Sequence, residues 1–153
     1  MITLPLIVVT CGARKAATAT TAAEMYIGSY ARQCLRAARV LAVDPDIRIM
    51  SARHGLLALD EKIEPYDTRL GTANAITAEQ LHAQAAAAGL LARPVTVLAG
   101  AAYTGLARQV WPQASAPLAG LPGLGAHMQR LAEIIQTQGP ALDLEDSATP
   151  TRP

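Results

Sequence analysis

The chain has 153 residues, enough for one domain, and about half are apolar, drawn mostly from Ala, Leu and Val, with no Phe and a single Trp. Such a composition predicts a core of small aliphatic side chains, with helices packed against a sheet. The net charge of +1 lacks the strongly basic surface of a stand-alone nucleic-acid binder; this argues against a general DNA-coating role and leaves room for a local basic cleft.

The first apolar run, Leu6-Ile7-Val8-Val9, is short, β-branched and followed by Thr10-Cys11-Gly12, which predicts a buried strand entering a tight loop. Thr21 and Glu24 have the spacing of a capping box, opening a helix that runs to about Val43 and stops at Asp44-Pro45. Ile47 to Ser51 is the second strand. A long loop from Arg53 to about Ala75 follows, anchored by Leu56, Leu57, Leu59 and Ile63. Thr77 and Gln80 form a second capping box, heading a helix that ends near Gly89. Pro94 to Gly100 is the third strand, Tyr103 to Val110 a helix, and Pro117 to Gly125 a Gly/Pro-rich loop leading to a last helix from His127 to about Gln136. Alternating strands and helices predict a three-layer α/β/α domain over residues 1–137 with a small, mainly parallel sheet. The polar residues 138–153 read as a disordered tail.

No run reaches the roughly 18 apolar residues of a membrane span, and the opening residues lack the basic region of a signal peptide. The two cysteines, Cys11 and Cys34, lie in dissimilar contexts and fit a reducing compartment better than a disulfide framework. The expectation is a cytoplasmic protein with no membrane association; its oligomeric state is left open.

Parallel sheets bind ligands outside the carboxyl ends of their strands, which here directs attention to the loops starting at Cys11, Ser51 and Gly100. In the first, Gly12 lets the backbone approach a ligand, and Arg14 and Lys15 suit a phosphate or carboxylate; an ordinary turn with two solvated cations is the alternative. It is not a Walker A loop, because the Lys-Ser/Thr spacing is absent. Cys11 is either a thiolate candidate or a small buried residue, and Cys34 belongs to the core. In the second loop His54 is a general acid or base candidate, with Ser51 and Arg53 able to bind substrate oxygens; equally, His54 only braces the loop while Gly55 supplies a positive φ. On the same loop Glu64, Tyr66 and Asp67 flank Pro65 and can orient a sugar or act as base or nucleophile. Tyr103 either enters the cleft or packs the first turn of its helix, and Gly123 either meets a ligand backbone-first or serves the turn. Arg32, Arg36 and Arg39 share a helix stripe, a solvated face or a phosphate rim. His54, His82 and His127 are too scattered to predict a metal site, and no cofactor is expected.

Four segments resemble a known pattern: Cys11-Gly12-Ala13-Arg14-Lys15, Met25 to Arg32, Ser51 to Leu57, and Ile63-Glu64-Pro65-Tyr66-Asp67. In that order they look like the SCGxKK, YxGxxFR, SAKHGLL and IEPYD motifs of a family of small uncharacterised bacterial and phage domains. The loop from Pro117 to Gly125 resembles that family's PLxGLxxG ending. The block from Ser51 to Leu70 is also similar, more remotely, to a segment of the YaaA peroxide-stress family, associated with DNA binding and protection from oxidative damage. It differs in having Asp67 where that segment has Arg. The resemblance implies that the matched polar residues form one site.

These readings converge on an enzyme acting on a nucleotide, nucleoside or modified nucleobase, by N-glycosidic bond cleavage or transfer. Arg14 and Lys15 would hold phosphate, Glu64 or Asp67 engage the sugar, and His54 handle a proton. The alternatives are a non-catalytic DNA-binding or oxidative-stress module of YaaA type, and a sensor that binds a nucleotide-like ligand without turnover.

Overall fold

A computed structural model gives the fold of residues 4–147, with side chains described to residue 137. The chain runs β1 (Leu6–Thr10), β2 (Thr20–Thr21), α1 (Ala22–Met25), α2 (Ser29–Leu41), β3 (Ile47–Ser51), β4 (Gly55–Ala58), β5 (Lys62–Ile63), α3 (Ala78–Ala87), β6 (Val95–Leu98), α4 (Ala101–Val110) and α5 (Gly123–Ser147). The tail expected over residues 138–153 falls partly on α5, which continues to Ser147, and from residue 148 lies outside the described residues. Among the described residues no helix is long and apolar enough to cross a membrane.

The main sheet has the order β4-β3-β1-β6. β1 pairs in parallel with β3 and with β6, and β4 closes one edge antiparallel to β3. Successive β1 side chains point to opposite faces, and both faces are covered. Ile7, Val9, Ile47 and Ile49 pack with Cys34, Leu35 and Ala38 of α2 and Leu131 of α5. Leu6, Val8, Met50 and Val97 pack with Leu81 and Ala85 of α3 and Ala107 and Val110 of α4. The result is the expected three-layer α/β/α arrangement around a small, mostly parallel sheet.

The helix expected from Thr21 to Val43 is two helices. Thr21 makes no side-chain capping bond. Instead β2 pairs with β5, and the Ala22 and Ala23 amides donate to the carbonyls of Glu61 and Leu59 at 2.8 and 3.0 Å. At the other end the first loop lies alongside residues 25–27: Ala16 N–H donates to Met25 O at 2.8 Å, and Ile27 N–H to Arg14 O at 3.1 Å. These tertiary bonds take the backbone groups that a continuous helix would need, and local propensity yields. The second capping box does form, with Thr77 and Gln80 bonded reciprocally.

The segment expected as loop from Arg53 to Ala75 contains β4 and β5. Gly55, at φ +75°, turns the chain back onto β3. The outward edge of β4 is closed by side chains: Gln84 Oε1 accepts the Leu56 N–H at 2.8 Å and Glu61 Oε1 the Ala58 N–H at 3.0 Å. The Gln84 amide also donates to His54 O at 2.9 Å, so it pairs with the strand edge as a peptide group would. At the opposite edge Ser115 exchanges two backbone bonds with β6.

Any Cβ on Gly55 would collide with the Gln84 amide, in a backbone conformation that already disfavours side chains. Gly55→Ala should therefore destabilise the fold by about 1–3 kcal/mol in urea unfolding. Adding Gln84→Ala should recover part of that loss, making the pair non-additive; full additivity would show that the contact is not the cause.

Candidate active site

The parallel strands β1, β3 and β6 deliver their carboxyl ends, Thr10, Ser51 and Leu98, to one edge of the sheet. From β1 the chain passes to α2 on one face, and from β6 to α4 on the other. Between such strands the sheet leaves a crevice where ligands bind. Cys11 and Tyr103 meet across it, Sγ to Oη at 3.1 Å. Gly100 caps the start of α4, four residues before the buried Thr104, and so sets where Tyr103 emerges.

Ser51, at the end of β3, is fully buried. Its Oγ accepts the N–H groups of Arg53 and His54 at 3.1 and 2.9 Å and bonds Tyr66 Oη at 2.7 Å. Tyr66 in turn bonds Tyr26 Oη at 2.6 Å. The Lys15 ammonium stands 4.5 Å from the Tyr66 ring centroid, a cation–π contact. It reaches this position because the Lys15 backbone bridges to Tyr26. The His54 ring meets Tyr66 edge-on, with centroids 5.3 Å apart. Burial raises the pKa of Tyr26, Tyr66 and Tyr103, so all three are neutral phenols near pH 7. Burial, aided by the Arg53 charge, lowers that of His54 against a smaller opposing effect of Glu61, and the imidazole is neutral there too.

Beside this cluster lies an open cleft of about 950 Å³, whose lining includes Arg53, His54, Glu64, Tyr66, Asp67 and Gln84. Arg53, Glu64 and Asp67 are exposed in it. Tyr66 belongs to both the cleft and the hydroxyl cluster.

Of the residues singled out from the sequence, Lys15, Ser51, His54 and Tyr66 are thus joined by direct contacts, Cys11 and Tyr103 pair with each other, and Arg53, Glu64 and Asp67 share the adjoining cleft. Arg14 is exposed on the first loop. Gly12 sits against α2, where an added Cβ would be 3.3 Å from that of Ala31. Gly123, at φ +72°, starts α5 and shares neither cluster nor cleft. The Arg32, Arg36 and Arg39 stripe lines a separate groove of about 610 Å³, with Arg39 forked onto Asp44 at 3.0 and 3.1 Å. His127 fastens α5 to α2 through Tyr30 Oη at 2.8 Å. Cys34 lies in the core, its thiol pushed up to about 12 by burial. Among the described residues no group of three or more His, Cys, Asp or Glu could hold a metal ion.

Two members of the site escaped the sequence reading. Tyr26 is nearly buried and ends the hydroxyl chain; its signal was its place in the segment Met25 to Arg32. Gln84 lies within α3 with nothing in its neighbourhood to mark it.

A family model described as a family of unknown function (DUF6884) matches residues 6–133, and the chain belongs to that family. No curated protein matches it. The matched span includes every residue of the cluster and the cleft.

All four tyrosines have pKa values raised above the ordinary value near 10, chiefly by burial. Above about pH 10 the unfolded chain releases protons that the native one keeps, so this contribution to stability is intact below that pH and lost as pH rises beyond it. In an ultraviolet titration, phenolate should appear only well above pH 10 and together with unfolding. Two or more tyrosines ionising near pH 10 with the fold intact would contradict this burial.

Proposed function

We propose that this member of a family of unknown function is an enzyme acting on a nucleotide, nucleoside or modified nucleobase, cleaving or transferring an N-glycosidic bond. The observation that carries the reading is the single cleft shared by Arg53, His54, Glu64, Tyr66 and Asp67 beside the carboxyl end of β3. Its volume suits a ligand of nucleoside size. In hydrolysis, water adds to the anomeric carbon, the C–N bond breaks, and the departing base takes its electron pair and a proton. His54 is neutral near pH 7 and accepts the proton from water. Glu64 or Asp67 faces the sugar, where positive charge develops in the transition state. Arg14 and Lys15 supply cations for a phosphate.

A second reading, a DNA-binding or oxidative-stress module of YaaA type, draws on the similarity of residues 51–70 to that family and on the exposed Arg14 and Arg53. A sensor would use the same pocket without turnover.

A thermal-shift screen against nucleobases, nucleosides, nucleotides and short DNA, followed by turnover assays, separates these readings. Nucleosides or nucleotides should raise the melting temperature by mass action. Glu64→Gln and His54→Ala should each lower kcat by about 10²–10⁴-fold, and activity should rise with pH through a pKa below the ordinary 6.5 of histidine. Turnover unchanged in both variants would refute the assignment. Binding without turnover points to the sensor, and stabilisation by DNA alone that vanishes with salt points to the module.

A further inference from the structure

The hydrogen bonds at the strand ends can be followed proton by proton. Ser51 Oγ accepts from the Arg53 and His54 amides, which occupies both lone pairs, so its own O–H donates to Tyr66. Ser51, Tyr66 and Tyr26 thus have three hydroxyl protons for the two bonds among them. One phenolic O–H, on Tyr26 or Tyr66, has no acceptor among the described residues. The Cys11–Tyr103 contact repeats the surplus, with two protons for one bond. Lys15 uses one N–H on Ala13 O at 3.2 Å. Among the described residues no carboxylate is hydrogen-bonded to any of these groups. Cys11 N–H donates to Met50 O at 3.3 Å, one residue before Ser51, which sets the Cys11–Tyr103 contact beside the Ser51–Tyr66–Tyr26 chain.

Tyr26 is buried and Tyr66, Tyr103 and Lys15 are half-buried; donors so enclosed call for an acceptor, and the deficit here is of acceptors only. We infer that the Tyr26–Tyr66 pair, Tyr103 and Lys15 form an oxyanion subsite that takes the phosphate of a phosphorylated ligand. Three donor groups from separate chain segments match the three terminal oxygens of a phosphoryl group better than the two of a carboxylate. A charge-assisted bond from each neutral phenol adds to the ammonium's attraction. The inference rests on the nucleotide reading above and adds where the phosphoryl end lies: at the carboxyl ends of β3, β1 and β6, while the cleft beside β4 takes the rest.

The test is calorimetric titration of the full chain with inorganic phosphate, and with acetate as the carboxylate probe. Wild type should bind phosphate saturably and more tightly than acetate. Tyr26→Phe and Tyr103→Phe, which keep the packed rings, should each weaken phosphate binding about tenfold or more, and the double variant or Lys15→Met should abolish it. Failure of wild type to bind phosphate, or equal affinity in the double Phe variant, overturns the subsite. Acetate binding as tightly as phosphate overturns the phosphoryl assignment. Tyrosine-dependent phosphate binding in a protein that neither binds nor turns over nucleosides or nucleotides leaves the subsite standing and removes the nucleotide reading.

Discussion

A serine side chain buried at the end of a strand must satisfy its hydroxyl within the protein, and at Ser51 this requirement organises the strand ends. The Arg53 and His54 amides bond back to Ser51 Oγ, which closes the turn after β3. With its lone pairs taken, Ser51 can only donate, and that fixes the direction of its bond to Tyr66. Tyr66 is in turn bonded to Tyr26, which the first loop holds beside Lys15. The placement of three separate segments thus follows from the hydrogen-bonding needs of one buried oxygen. Hydrogen bonds in such a chain polarise one another, so its members act as a unit.

The same turn is held from the opposite side by Gln84. Its amide occupies two backbone groups at the β4 edge and sits where a side chain on Gly55 would be. His54 therefore enters the cleft from a backbone gripped by Ser51 on one flank and by α3 on the other. A site built this way keeps its geometry without a ligand, which lowers the ordering cost of binding. It also leaves the β4 edge unavailable for pairing with another chain.

The fold was legible in the sequence wherever local and tertiary demands agree. The β-branched runs of β1, β3 and β6 suit strands buried on both faces, and the Thr77–Gln80 box has no competitor for its amides. Legibility failed where distant chain segments supply the hydrogen bonds. Thr21 has the residues of a cap, yet the amides it would have guided are met by Glu61 and Leu59. β4 was missed because its four residues, GLLA, alternate too weakly to declare a strand beside a turn. At the site, the polar clusters around residues 51–55 and 64–67 were visible as unusual chemistry in loops. The bonds between them were not, since Ser51 and Tyr66 are fifteen residues apart and Cys11 and Tyr103 ninety-two.

Tyr66 links the cleft to the hydroxyl cluster at the end of β3. Its ring faces His54 on one side and the Lys15 ammonium on another, while its hydroxyl stands between Ser51 and Tyr26. Glu64 and Asp67 lie two residues before it and one after, on an exposed stretch stiffened by Pro65. The carboxylates are therefore carried on a segment whose anchor is the hydroxyl chain. This separates negative charge, exposed at the rim, from a more enclosed cluster of neutral donors with one nearby cation. On the proposed reading, a chain of net charge +1 presents an anion-attracting cluster without a basic surface. The balanced composition thus speaks only to the surface average, while the polarity of the site is set by which groups are buried and in which direction their protons point.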